Sequence, residues 1–335
     1  MPELSRRDFV RSSVAAAAVG AAGSYLTSEA ADAATGHPFI PYTKRSYFRR
    51  PVNFTQVNHV RTRRFHEFMR TWSTQVGHHH PTIKGLDGNH WGVAFAIGHA
   101  SDPIWRLTGN LRPEHKRLST TGFHAPAWFG RVLTQTSDSP FTVMDRANGI
   151  TVSGAKANVV APRTIRVGAA GLMYHSSNGL DKKDPHSNDH RNKTPRGRIA
   201  DAMVIRADLV EHGIAHGTGL GHVLHMFFCQ TRSASGFCHP MVAAESGKNG
   251  WGAEGQRIAI HPGIDLSKRG LSKGGLVIAR TLQRHGCYLG DNAGRESCLK
   301  AEQSSSAHDV WSGQIHQHSL SGITWADFVV IRRGH

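Results

Sequence analysis

Residues 141–152 read FTVMDRANGITV, and this stretch decides how the chain folds. Two short apolar runs, Phe141–Met144 and Ile150–Val152, flank the polar segment DRANG, residues 145–149. Its glycine supplies the positive φ that a tight connection between antiparallel strands requires. The pattern predicts a β-hairpin, which is the local unit of a mainly β fold.

Runs of similar length occur on both sides of this hairpin, each bounded by Gly, Pro, Asn or Asp, and they predict further strands. They are Trp91–Ile97, Ile104–Leu107, Trp128–Leu133, Thr164–Val167, Leu172–Tyr174, Val223–Phe228, Arg257–Ile260 and Trp325–Ile331. We therefore expect a mainly β protein, a β-sandwich or jelly-roll-like single domain with two or three short helices.

Three segments have helical spacing of their apolar residues. Residues 56–75 form an amphipathic pattern, and Arg206–His212 is followed by a helix-ending Gly213. Ser272 is a predicted N-cap for Lys273–His285, which Gly286 ends. Residues 37–54 hold three prolines and no clear period, which predicts an extended arm over the surface.

The first 33 residues have the features of an export signal. Ser5-Arg6-Arg7-Asp8-Phe9-Val10-Arg11 resembles the twin-arginine motif, and Val14–Leu26 is apolar but too short to span a bilayer. Ala31-Asp32-Ala33 fits a cleavage site, with Ala34-Thr35-Gly36 as the alternative. These features predict a single exported domain, residues 34–335, in the periplasm, the cell wall or outside the cell, with no membrane span after signal removal.

Charge and cysteines indicate the partners and the compartment. Without residues 1–33, 37 basic and 20 acidic side chains remain, a formal charge of +17 with histidine neutral. This favours an acidic polysaccharide or another extracellular polyanion as partner, although scattered bases are also typical of a solubility adaptation. Four cysteines in an oxidising compartment predict two disulfides, and of the three pairings we favour Cys229–Cys238 and Cys287–Cys298.

Candidate catalytic residues lie in two places. His216 and His222 belong to a histidine cluster with His212, and equal parity would aim all three at one face of an extended chain. Tyr174 and His175 open a polar loop. A neutral His or Tyr can remove the α-proton of a uronate while arginine neutralises its carboxylate, which would be β-elimination. Arginines in the loop that fit this substrate-binding role are Arg191, Arg196 and Arg198.

Hydrolysis would instead need a pair of carboxylates. Asp138 and Asp145 are the nearest candidates for this pair, although both residues also suit turns. Asp138 is in addition a predicted substrate-binding residue. The cofactor is unknown, and a metal ion is among the candidates because the chain is rich in histidine and Cys238-His239-Pro240-Met241 has soft ligands.

Several passages resemble a group of secreted bacterial proteins that carry a twin-arginine type signal. The resemblance implies an exported β-rich domain and no particular reaction. This chain departs from the group at Ser137-Asp138-Ser139-Pro140, where a Ser-Asp-Gly-His stretch is common. The passages are Tyr42–Val52, Asn89–Ala96 with Asp102-Pro103, Ser137-Asp138 with Val143–Asp145, Ile205–His216, and His261–Asp265 with Leu282-Gln283 and Asp291-Asn292.

Together these features predict a secreted enzyme that acts on an anionic polysaccharide as a lyase or a glycoside hydrolase. The first alternative is a non-catalytic envelope or matrix protein that binds anionic polymers. The second alternative is an exported metalloprotein.

Overall fold

The structure is a computed structural model that describes residues 37–86, 91–133, 136–177, 202–305 and 308–333. The predicted signal, residues 1–33, lies outside these ranges. The helices are α1 His59–Thr71, α2 Arg117–Thr120, α3 Ala207–His216 and α4 Lys273–Arg284. The strands are β1 Thr82–Lys84, β2 Ala94–Gly98, β3 Ile104–Gly109, β4 Phe123–His124, β5 Phe141–Asp145, β6 Ile150–Ala155, β7 Asn158–Ala161, β8 Thr164–Val167, β9 Ala169–Tyr174, β10 Leu224–Phe228, β11 Arg257–Ile260, β12 Cys287–Asn292, β13 Cys298–Lys300 and β14 Phe328–Val330.

The strands form three sheets. The largest has the order β1-β13-β10-β12-β11-β14, and two four-stranded sheets have the orders β2-β5-β6-β9 and β4-β3-β8-β7. A mainly β architecture with three sheets and four helices is thus present in the described residues. The jelly roll is not confirmed, because β1–β13, β10–β12, β2–β5 and β3–β8 pair in parallel and jelly rolls are antiparallel.

The predicted hairpin is confirmed as β5 and β6. Asp145 pairs with Ile150, and the Asp145 Oδ1 accepts a hydrogen bond from the Asn148 backbone N–H at 3.1 Å. Gly149 has a φ of +60°, as the turn requires.

Two clusters of buried apolar residues build the interior, and the sheet β2-β5-β6-β9 lies between them. Alternate residues of its strands face opposite sides, as the period of a strand dictates. Ala96, Val143 and Leu172 belong to the cluster shared with the other four-stranded sheet. Met144 and Met173 belong to the larger cluster under the six-stranded sheet and the helices α1, α3 and α4. One domain over residues 34–335 stays a prediction.

The arm 37–54 was predicted on the surface, and that prediction is wrong for its apolar residues. Phe39, Ile40, Tyr42 and Phe48 are at most 4% exposed and belong to the larger cluster. Backbone hydrogen bonds fix the arm, including one of 2.7 Å from the Val223 N–H to the Phe48 carbonyl. The apolar residues between the prolines therefore act as core residues.

Trp128–Leu133 was predicted as a strand, and this too is wrong. Phe129–Arg131 is a short 3₁₀ turn, closed by local bonds from the Phe129 N–H to the Pro126 carbonyl and from the Arg131 N–H to the Trp128 carbonyl. Phe129 and Val132 are buried. An apolar run of this length therefore fits a buried turn as well as a strand.

The two predicted disulfides are absent, and all four cysteines are free thiols. Strand order explains why the pairing of Cys287 with Cys298 is wrong. Cys287 lies on β12 and Cys298 on β13, which flank β10 on opposite sides. Two strand spacings separate them by at least about 9 Å, whereas a disulfide requires Cα atoms within about 7 Å. Cys229 and Cys238 are not bonded to each other either.

No described helix is both long and apolar enough to traverse a lipid bilayer.

Candidate functional site

A groove of about 770 Å³ is lined by cationic side chains. We call it the basic groove. Four cations, Lys44, Arg49, Arg280 and Arg284, contribute to its wall, and no carboxylate is among its lining residues. A concave surface with one sign of charge concentrates ligands of the opposite sign. The groove is therefore suited to an anion.

Helix α4 supplies two of these arginines. It begins at Ser272, whose Oγ accepts a hydrogen bond of 3.1 Å from the Gly275 N–H, as the sequence predicted. Its buried face includes Ile278, Ala279 and Leu282. Arg280 and Arg284, one helical turn apart, are left outside that face, and cations are favourable near a helix C-terminus.

The arm 37–54 supplies the opposite wall. Arg49 donates from Nη1 to the carbonyls of Ile40 at 3.4 Å and Tyr42 at 3.3 Å, which holds its guanidinium beside the groove. The Val52 N–H donates to the Arg284 carbonyl at 2.8 Å, so the arm is joined to the end of α4.

The third wall is the glycine-rich loop GTGLG, residues 217–221. Gly217 ends α3 in the left-handed region with a φ of +66°. The Leu220 N–H donates to the Thr281 Oγ1 at 2.8 Å, which ties the loop to α4. A Cβ at Gly219 would lie only 2.8 Å from that same oxygen, so the close approach requires glycine here.

The field of these cations acts on a histidine in the wall. Burial, together with the nearby Arg257, Arg284 and Arg49, lowers the pKa of His285 to about 4. His285 is therefore neutral near pH 7 and adds no charge to the groove.

Three histidine rings are in contact beside the groove, and two of them, His212 and His216, are stacked. The ring centroids of His37 and His212 are 4.3 Å apart, and those of His212 and His216 are 4.1 Å apart. Partial burial and the two neighbouring rings lower the pKa of His212. His216 Nδ1 lies 2.9 Å from the His212 carbonyl, one turn earlier in α3. His212 and His216 lie one turn apart in α3, and His222 lies beyond the end of this helix, so the predicted common face of the three on an extended chain is wrong.

Two of the predicted catalytic residues, His222 and His175, are interior histidines. His222 is 0% exposed and stacks on Phe48 with ring centroids 4.7 Å apart. His175 is 6% exposed and packs against Phe39 and Tyr42. Burial lowers the pKa of each to about 3, so both rings are neutral and shielded from a substrate.

The other two predicted catalytic residues are more accessible. Tyr174 is partly buried against the smaller cluster, and its hydroxyl accepts a hydrogen bond of 3.3 Å from Arg117. His216 is exposed and directly precedes Gly217, which lines the basic groove. Of the four, only His216 is placed beside the groove.

The predicted substrate-binding residues have different outcomes. Arg191, Arg196 and Arg198 lie outside the described residues. Asp138 is exposed and lines a separate cleft. Asp145, its proposed partner in hydrolysis, is fully buried and accepts hydrogen bonds from His124 and Asn148, which makes it a turn residue.

Among the described residues, no group of three or more His, Cys, Asp or Glu side chains is arranged to hold a metal ion. Comparisons of the chain with models of protein families, with curated proteins and with solved structures gave no match.

Sequence reasoning missed the four cations of the groove because they come from an arm and a helix more than 200 residues apart. One signal was available. Arg280 and Arg284 have the four-residue spacing that places them together outside the apolar face of a strongly amphipathic helix.

Proposed function

We propose that the protein binds an anionic polymer, with an acidic polysaccharide as the expected partner, in the basic groove. The observation that carries this proposal is the lining of the groove, which has four cations and no carboxylate. Carboxylate or sulfate groups of a polymer would pair with the guanidinium groups of Arg280, Arg284 and Arg49 through charge-assisted hydrogen bonds.

The groove also suits a chain-like ligand rather than a small ion. Its volume of about 770 Å³ is within the range of pockets that hold drug-sized molecules. The cations lie on separate walls, so one ligand must present several negative groups to meet them all. Phe54 and Pro51 add apolar surface to the lining. The predicted signal in residues 1–33 supports a role outside the cytoplasm.

The test compares two variants of equal charge. Arg280→Glu with Arg284→Glu reverses two cations of the groove, and Arg64→Glu with Lys116→Glu reverses two exposed cations elsewhere. Binding of heparin, hyaluronate, polygalacturonate and polyphosphate is measured over a salt series. We expect the groove variant to lose at least about tenfold in affinity and to show a smaller salt slope.

The control variant should bind nearly as well as the wild type. An equal loss of affinity in both variants would contradict the proposal. It would mean that the positive charge of the whole surface, and not the groove, attracts the polymer. Absence of binding to every polymer at low salt would also overturn it.

The second candidate is an enzyme that cleaves the same polymer, and the position of His216 favours it. This exposed ring lies next to the wall of the groove, where it could serve as a general base. The same polymer samples are therefore monitored for ultraviolet absorbance of unsaturated products and for reducing ends. His216→Ala should abolish product release and leave binding intact, whereas absence of product from wild-type protein excludes this candidate for the polymers used.

A further inference from the structure

A second concave site, of about 640 Å³, shares no lining residue with the basic groove. We call it the Trp91 cleft. It lies against the central strands of the six-stranded sheet, where Phe227 is the next-to-last residue of β10 and Asn292 ends β12. The neighbouring strand β13 contributes Cys298 and Lys300. Two further lining residues come from the segments before other strands. Trp91 precedes β2, and Asp138 precedes β5.

The charges of this cleft balance. Its lining contains three cations, Lys84, Arg295 and Lys300, and three carboxylates, Asp138, Asp291 and Glu296. Two of the cations are already engaged. Lys84 Nζ lies 2.8 Å from Glu296 Oε1, and Lys300 Nζ lies 4.0 Å from the ring centroid of Phe227. The cleft therefore favours a ligand without net charge, in contrast to the basic groove.

Trp91 gives the cleft an aromatic surface. Its side chain is 47% exposed, which is unusual for so large an apolar group beside a cavity. An indole ring offers a flat apolar face together with a polar edge. This combination suits a ligand that has an apolar face and hydroxyl groups around its rim, as a sugar ring does.

Asn292 provides a donor that lacks a partner among the described residues. Its Oδ1 accepts hydrogen bonds from the Thr231 N–H at 2.7 Å and the Thr231 Oγ1 at 3.2 Å, which fixes the amide. Its Nδ2 is buried and has no hydrogen-bond partner in the described structure. Buried donors are normally satisfied, and a ligand hydroxyl would satisfy this one.

The backbone of β12 forms a bulge at Asp291, next to Asn292. The register between β10 and β12 shifts there, since Phe227 pairs with Gly290 and Phe228 with Asn292. Asp291 is the extra residue of this bulge and has a φ of +29°, which is uncommon outside glycine. Bulges of this kind re-aim a side chain and are frequent next to functional sites.

We propose that the Trp91 cleft binds an uncharged sugar unit of a glycan. Trp91 stacks on the ring, the Asn292 amide donates to one hydroxyl, and the carboxylates of Asp138 and Asp291 accept from others. The proposal does not depend on the basic groove, because the two sites have separate linings.

The test is calorimetric titration of the full chain with uncharged oligosaccharides, namely tetramers of β-linked glucose, α-linked glucose and N-acetylglucosamine. We expect one of these classes to bind and Trp91→Ala to lose at least about tenfold in affinity. Asn292→Asp removes the donor with little change of shape and should weaken binding as well.

Phe237→Ala is the matched control, since this aromatic side chain is also about half exposed, at 51%, and does not line the cleft. It should bind like the wild type, and so should Arg280→Glu with Arg284→Glu. Conversely, Trp91→Ala should keep its affinity for anionic polymers. If no tetramer binds, or if Trp91→Ala binds as well as the wild type, the proposal is wrong, whatever the outcome for the basic groove.

Discussion

At the scale of single residues, burial decides what the histidines of this chain do. His175, His222 and His225 are at most 6% exposed, and burial lowers the pKa of each to about 3. His216 has the same side chain but is exposed at the end of α3. A histidine-rich sequence therefore contains both core rings and surface rings, and their spacing along the chain does not distinguish them.

The buried histidines should make stability depend on pH. Below pH 6.5 the unfolded chain takes up protons that the folded protein cannot accept until about pH 3, so the free energy of unfolding falls on acidification. Each fully shielded ring should remove about 2 kcal/mol between pH 7 and pH 5. Urea unfolding at both pH values measures this loss.

His222→Phe keeps the stack on Phe48 and removes the titrating group. The difference in unfolding free energy between the two pH values should then shrink by about 2 kcal/mol. Val60→Ala serves as the control and should leave the difference unchanged, because this exposed side chain does not titrate. An unchanged difference in His222→Phe would mean that His222 already takes up a proton in the folded state.

At the scale of elements, two glycines of similar position in the sequence have different roles in α3. The sequence predicted an end at Gly213, but the helix continues to His216 and ends at Gly217. Gly213 is buried against α4, where an added Cβ would lie 2.6 Å from Val277 Cγ1. This glycine permits helix packing, whereas Gly217 ends the helix through its positive φ.

Gly213→Ala should therefore destabilise the protein although alanine is the better helix former. The gain in helix propensity is about 1 kcal/mol, and overpacking against a stiff valine costs about 1–3 kcal/mol. Thermal unfolding should show a lower midpoint than the wild type. Glu211→Ala, at an exposed position of the same helix, should change the midpoint little, and a stabilised Gly213→Ala would show that the helices separate easily.

At the scale of the whole molecule, strand order decides the state of the cysteines. Residues 287 and 298 are close in the chain, yet β10 lies between their strands in the sheet. The predicted export signal and the even cysteine count favoured disulfides, but the strand order separates Cys287 from Cys298. Cys229, Cys287 and Cys298 are buried, which shields their thiols from oxidation.

Alkylation in denaturant without any reductant should therefore label four thiols per chain. Mass spectrometry of the intact protein counts the labels, and prior reduction should not increase the number. The thermal midpoint should likewise be the same with and without reductant. Two or four thiols that become reactive only after reduction would show that the protein is crosslinked.

The sequence by itself determined the local features of this protein, because they depend on neighbouring residues. The hairpin around DRANG, the strands Thr164–Val167 and Arg257–Ile260 and the N-cap at Ser272 were all predicted from short-range patterns. The amphipathic face of α4 follows from the same kind of pattern. This face leaves Arg280 and Arg284 outside, and they are two of the four cations that line the basic groove.

Only the tertiary structure decided which residues meet. The arm 37–54 and the loop 217–221 approach α4 because apolar residues of each share one core, and that contact assembles the cations of the groove. The same packing shields His222 and His175, which the sequence presented as catalytic candidates. Contacts between distant segments depend on the burial of the whole core, which no local pattern encodes.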